Sequence, residues 1–253
     1  MKEKSPTNNT RIICISSGKG GVGKTTFAVN LAIALAKKNK NVLLIDGDLG
    51  LANVDIVLGL NIQHTLQETI EQGRDPSALL VKTAHGFHVL PASSGVPEMA
   101  SLSPQEQTFL IDTLKELAAS FDYVLLDAAA GIGESVLWFN QWAQGNIIIL
   151  SPDPTSMTDA YALMKILASR HNKNRFLLVI NSVKSQKEGN EVFSGMSRVL
   201  NNFLKINPVL LGSIPLDSHA VKAIRARNPL LISAPESRAA KSITAIADRI
   251  LAV

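Results

Sequence analysis

A chain of 253 residues with 46% hydrophobic and 5% aromatic residues carries enough apolar material for one large core, and α/β chains of this size commonly form one domain. Its formal net charge of +4 permits contact with nucleic acid or anionic lipid and requires neither. The single cysteine excludes an internal disulfide and has no neighbours for a metal or cluster site, so a reducing cytoplasm is the expected compartment.

Met1 to Thr10 is polar and has no apolar run of the signal-peptide kind. It reads as a frayed lead-in, residues 1–10, to a single domain over 11–253. No later apolar run approaches the roughly 18 residues needed to cross a bilayer. The first candidate strand is Ile12–Ser16, with Cys14 inside it as a small buried hydrophobe. It leads into Gly18-Lys19-Gly20-Gly21-Val22-Gly23-Lys24-Thr25-Thr26, and the periodic run Phe27 to Ala36 follows. Strand, glycine loop and helix form the context that turns G-x-x-x-x-G-K-[ST] into a phosphate-binding loop. The glycines let successive N–H groups turn inward around a triphosphate. The helix N-terminus adds its partial positive charge. Lys24 is placed to reach the β/γ-phosphates and the Thr25 hydroxyl to help hold Mg²⁺.

Further strands are expected at Val42–Asp46, Phe87–Leu90, Tyr123–Asp127, Ile147–Leu150, Phe176–Asn181 and Val209–Ile214. Most are continuous in Val, Ile and Leu, as when helices cover both faces of a sheet. Helical patterns lie between them at Thr65–Glu71, Pro104–Ser120, Ser156–Ser169 and Glu191–Leu204. The alternation predicts an α/β fold with a doubly wound, mainly parallel sheet and ligands beyond the carboxyl ends of its strands.

The chemistry-bearing residues stand at those ends. Asp46 and Asp48 close the second strand and share a face, since the side-chain period is two. They read either as metal- and water-directed carboxylates or as caps of a turn rich in Asp and Gly. Asp127 ends another apolar run, in the manner of a carboxylate that holds a magnesium-bound water. Ala128-Ala129-Ala130-Gly131 follows it, as a switch or as plain packing. After Pro152-Asp153-Pro154-Thr155, either Ser156 or Thr158 is expected to cap a helix. Asn181 ends its strand with an amide that can pair with both edges of a base, or is a turn residue. In the tail, Ile243, Ile246, Ala247, Ile250 and Leu251 share one helical face, better explained by core packing than by a membrane.

Lys19 extends the loop motif to K-G-G-x-G-K-[ST], which resembles the deviant phosphate loop of the MinD/ParA class of P-loop ATPases. A solvated loop lysine is the alternative reading of Lys19 standing alone. Asp-Leu-Gly-Leu-Ala-Asn-Val-Asp at 48–55 and the Pro-Asp-Pro-Thr-Ser string at 152–156 resemble the flagellar FlhG (FleN, YlxH) branch of the MinD-like proteins, and the match runs from Arg11 nearly to the C-terminus. The resemblance implies an Mg²⁺-dependent ATPase that converts ATP to ADP and phosphate and acts as a slow switch. It implies a homodimer when ATP-bound, in which Lys19 crosses to the other subunit's phosphates.

By the same likeness Asp48 directs the attacking water, Asp46 and Asp127 serve the metal, and the Gly131 N–H senses the γ-phosphate. Asn181 and the loop Gly212-Ser213-Ile214-Pro215-Leu216-Asp217 would meet the adenine. Ala128 and Ser182 depart from the family pattern, where a hydroxyl residue and an arginine are usual. The implied partners are flagellar assembly proteins or a transcriptional activator. Contact with the inner face of the cell membrane stays open, because no further amphipathic helix follows residue 253. Two rivals remain: a ParA-like DNA-segregation ATPase with Lys222, Arg225, Arg227, Arg238 and Lys241 as a basic strip, and a non-hydrolysing scaffold stabilised by nucleotide.

Overall fold

Strand β1 (Arg11–Ser17) runs through the middle of the molecule, and every residue from Ile12 to Ser17 is buried. The computed structural model describes residues 10–48, 54–59, 76–91 and 104–252. On one side β1 pairs with β5 (Tyr123–Ala130), on the other with β6 (Gly145–Leu150), both in parallel. Adding β2 (Val42–Gly47), β3 (Val81–Lys82), β4 (His88–Leu90), β7 (Phe176–Val183) and β8 (Val209–Pro215) gives the order β3-β4-β2-β5-β1-β6-β7-β8. Only β3 is antiparallel to its neighbour among these pairs. A mainly parallel, doubly wound sheet is therefore what the alternating pattern forms. The two-residue β3 is too short to carry a period, and nothing in the pattern marked it.

Alternate residues of the strands feed two cores. Ile13, Ile15, Ile147 and Ile149 face α1 (Lys24–Ala36) and α9 (Arg238–Ala252). Cys14, Leu126, Ile148 and Leu150 face α3 (Pro104–Ala118), α4 (Glu134–Trp142), α5 (Pro154–His171) and α6 (Gln186–Leu204). Helix α1 is apolar on all sides, and Phe27 through Leu35 are buried without interruption. Its one polar member in that run, Asn30, is satisfied twice. Its amide donates to the Thr26 carbonyl at 2.7 Å, and its Oδ1 accepts the Leu231 N–H at 2.8 Å from α8 (Leu230–Ser233). A short helix α2 (Val54–Leu58) and α7 (Ser218–Arg225) complete the elements that concern the site.

Helix α9 uses its apolar face as core: Ile243, Ile246, Ala247 and Ile250 are buried, while Leu251 packs half-buried beside them. Other details differ from expectation. The cap of α5 is Asp153, not Ser156 or Thr158, because Pro154 occupies the first helical position and Asp153 is left to accept the Thr155 N–H. Ser156 Oγ instead accepts the Ser151 N–H, and Thr158 donates back to the Pro154 carbonyl. Gly212 to Pro215 belong to β8 rather than to a loop, since they continue its pairing with β7. Thr10 is not frayed; its hydroxyl donates to the Ala118 and Phe121 carbonyls. Residues 1–9, the expected helix Thr65–Glu71 and most of the 48–55 string lie outside the described residues.

Candidate functional site: a phosphate loop and an adjoining cavity

The sheet brings the ends of β1, β2, β5 and β7 to one rim, as the strand order requires of a parallel sheet. From β1 the chain turns through Gly18–Gly23 directly into α1. Gly23 caps that helix in the left-handed conformation at φ 94°, with no side chain closing the first turn and no acidic residue within it. The N–H groups there face the loop uncapped, and the first helical bond on record runs from Phe27 N–H to the Gly23 carbonyl at 2.9 Å. Gly18 has a different reason to be glycine. A Cβ there would stand 2.1 Å from the Asp159 carbonyl carbon, so the loop and α5 touch backbone to backbone.

Lys24 and Thr25 open α1 beside the end of β5. Asp46 and Asp127 are register partners on β2 and β5, and both are buried. Burial pushes the Asp127 carboxyl up to about 7, against the lowering pull of a Thr25 hydrogen bond and the Lys24 charge; Asp46 and Asp48 push the same way as burial. Burial likewise lowers Lys24, with Asp127 and Asp48 opposing. Asp127 Oδ1 is buried without a hydrogen-bond partner. The Thr25 hydroxyl and the Asp127 carboxyl with its orphaned Oδ1 are the donor chemistry that Mg²⁺ takes, with water and phosphate filling the remaining positions. Asp46 is spent differently: its Oδ1 accepts the Asp48 N–H and its Oδ2 the Val54 N–H, both at 3.1 Å. These bonds tie the end of β2 to the start of α2. Asp48 is half-buried and near enough to bear on the charge of Lys24.

Gly131 adopts φ 97° and its N–H is bonded to the Ser17 carbonyl at 2.9 Å. A phosphate-sensing role requires that bond to open. Lys19 reaches in the opposite sense from Lys24. Its ammonium lies 2.5 Å from both Asp153 Oδ2 and Thr155 Oγ1, at the N-terminus of α5, with two-fifths of its side chain exposed. The bond from Lys19, with help from Thr155, holds the Asp153 carboxyl down at about 2. Asp153 and Thr155 carried no site role on sequence grounds. An Asp before a Pro fits a helix cap, a signal passed over in favour of Ser156 and Thr158, and nothing in the spacing marks the second use of Asp153 as a lysine partner.

Beyond the phosphate loop lies a cavity of about 250 Å³, lined by Gly21, Val22 and Gly23 on one side and by Asn181, Pro215, Leu216 and Asp217 on the other. Asn181 braces the loop: its amide donates to the Val22 carbonyl at 2.7 Å, and its Oδ1 accepts the Ser182 N–H. Asp217 accepts the N–H groups of His219 and Ala239, fastening α7 and α9 to the cavity floor. Val221 and Ile224 of α7 widen the apolar wall, and sequence reasoning had not included them. Thus Gly18 to Thr26, Asp46, Asp48, Asp127 and Gly131 meet at one end of a groove, with Asn181 and Pro215 to Asp217 at the other.

This geometry agrees with the similarity of the chain to known proteins. The ParA family, described as "NUBPL iron-transfer P-loop NTPase", matches residues 8–251. The chain belongs to the ParA family of P-loop NTPases. The antiactivator FleN of Pseudomonas aeruginosa is 37% identical over 250 residues, covering 99% of this chain and 89% of that protein. The flagellum site-determining protein YlxH of Helicobacter pylori is 32% identical over 240 residues, covering 94% and 81%. MinD in the Aquifex aeolicus MinC:MinD cell division complex superposes with a TM-score of 0.77 at 28% identity, covering 96% of each chain. The resemblance read from the phosphate loop is therefore the family, and its MinD-like members have this fold.

Proposed function

We propose that this ParA-family chain is an ATP-driven switch of the MinD-like kind, which binds ATP with Mg²⁺ and hydrolyses it slowly to ADP and phosphate. The observation that carries the reading is the division of labour between two lysines. Lys24 is half-buried at the start of α1, close enough to Asp127 to feel its charge, and is placed to serve the nucleotide of its own subunit. Lys19 stands at the exposed rim on Asp153 and Thr155, available to leave for a second subunit. Bound Mg²⁺ would be held by Thr25 and Asp127 and would neutralise charge on the β- and γ-phosphates. Uncapped helical N–H groups hold phosphate oxygens, Lys24 offsets the charge that builds on them, and Asp48 orients the attacking water.

In this reading ATP favours a face-to-face dimer, and hydrolysis dissolves it. The kinship with FleN and YlxH supports an output in flagellar number, placement or gene expression through partner binding. Iron transfer fits this chain poorly. Clusters are held by sets of cysteine thiolates, and the sole cysteine, Cys14, is buried with its thiol pushed well above the usual range. Lys222, Arg225, Arg227, Arg238 and Lys241 are all exposed, and Lys241 is paired with Glu236 at 3.0 Å. ATP-dependent DNA binding that falls steeply with salt would move the reading to DNA segregation.

The test is the solution mass of the Asp48→Ala protein with Mg²⁺ and either ADP or ATP, with and without Lys19→Ala. The expected result is a monomer with ADP, a dimer with ATP, and no dimer once Lys19 is replaced. A mass indifferent to nucleotide would overturn the switch. Turnover by Asp48→Ala equal to that of the parent chain would overturn the role of Asp48.

A further inference from the structure

The opposite end of β1 carries another cavity, of about 250 Å³, away from the phosphate loop. Ile13 of β1, Gly145 of β6, Leu177 of β7, Leu211 of β8 and Ile250 of α9 form its apolar lining, and Arg11 and Arg175 stand at its polar side. One of its lining residues has no side chain. Gly145 pairs with Ile13 across the strands, and one step before the Asn146–Phe176 pair it faces Arg175 on the other side. The backbone does not require glycine there. Gly145 has no left-handed φ, and a Cβ would make an ordinary contact, 3.6 Å from Ile13 Cγ1. Glycine weakens a strand, and where no turn or clash calls for it, it marks a place where another group approaches the sheet. Here Gly145 leaves room on one wall of the cavity.

The charge around the space has one sign. The Arg11 guanidinium donates to the Ile250 carbonyl at 3.3 Å, which fixes it against the end of α9. Arg249 is docked on the Leu211 carbonyl of the same wall. Arg175 is exposed and makes no ion pair among the described residues. Among the described residues no carboxylate lines the cavity. The nearby Asp248 is already paired with Lys38 at 2.5 Å. Low-dielectric walls beneath a set of like charges focus the field on whatever enters. An apolar floor with a few convergent polar groups is the usual make-up of a small-molecule site.

We propose that this notch binds a small organic anion, its apolar body over Gly145 and its anionic head between Arg11 and Arg175. The site is separate from the nucleotide groove and does not rest on the ATPase reading.

The experiment is a ¹⁵N-resolved titration of the full chain with octanoate, with octanol and inorganic phosphate as controls and ADP binding as the check of folding. Octanoate is expected to shift the Gly145, Asn146 and Leu211 amides saturably. Octanol and phosphate, each lacking half of the recognition, should bind about tenfold or more weakly. Arg175→Ala should weaken octanoate about tenfold, and Gly145→Leu should abolish those shifts while ADP still binds. Octanol binding as well as octanoate, phosphate binding equally, or Gly145→Leu binding octanoate like the parent chain would each overturn the proposal. Absence of the shifts in a chain that binds ADP would do the same.

Discussion

At the phosphate end of the nucleotide groove, residues 18–26 supply the loop and helix start from one stretch of backbone. The adjoining cavity, the place proposed for the base, shares Gly21 to Gly23 with the loop but draws its other walls from β7, β8, α7, α8 and α9. The first region works through backbone N–H groups, so its geometry is set by where a Cβ can and cannot be. The second works through apolar shape, which side chains of several kinds can provide. One end is therefore intolerant of substitution and readable, and the other is tolerant and nearly silent.

The contrast is broken most easily at Gly18. A Cβ there overlaps the backbone of α5 rather than a movable side chain. Gly18→Ala should cost ~3 kcal/mol or more, the scale of overpacking plus lost backbone geometry. Thermal unfolding and ADP titration would register it, and an unchanged midpoint would show that α5 can yield. Asn181 sits on the boundary between the two regions. Asn181→Ala strands the Val22 carbonyl and loosens the loop from β7, with an expected loss of about tenfold in nucleotide affinity. A loss of that size for both ATP and the bare triphosphate would assign Asn181 to the phosphate end. A loss confined to ATP would assign it to the base.

Asp153→Asn asks what the lysine at the rim does. Asparagine keeps the cap of α5, so stability should hold while Lys19 is released. Exposed pairs of this kind are weak, so the ATP-bound dimer should form at protein concentrations lower by at most about fivefold, read by sedimentation. Acidity is a poor lever on this pair. The Asp153 carboxyl is depressed from 3.8 to about 2, so the pairing is fully present above about 4 and is lost only as pH falls through about 2. The carboxyl carbon resonance should titrate there and stay flat from pH 5 to 8, leaving nucleotide and partner as the means of release. The smallest effect is expected at Leu216, which is 58% exposed. Leu216→Ala should lower ATP affinity about threefold at most, since little of its surface leaves water. A larger loss would show that the pocket closes on the base.

What could be read in advance follows the same division. Glycine spacing between an apolar strand and a periodic helix announced the loop, and an apolar run ending in a carboxylate announced Asp127. Both are local, and both rest on residue types with one structural use. Lys19 was legible as unusual, yet its partner lies 134 residues away at the end of another strand. Spacing in the sequence cannot express that neighbourhood. Val221, Ile224 and Ile243 look like any apolar residues of an amphipathic helix, and only the assembled sheet shows that they border a cavity. Asp46 had two readings, metal-directed carboxylate or cap of a turn rich in Asp and Gly, and its bonds to the Asp48 and Val54 N–H groups are of the second kind; that Val54 is one of the partners is not something spacing expresses.

Asp217 ties the floor of the base pocket to the Ala239 N–H at the start of α9, and Ala239 and Ile243 of that helix line the pocket. In synthesis α9 is made long after the phosphate loop. A nascent chain that has already formed its phosphate loop still lacks the floor on which a base would rest, and domains fold as units once their last parts are available. The cavity therefore depends on α9: a chain cut before that helix carries the most recognisable motif of the family without the wall that Ala239 and Ile243 supply.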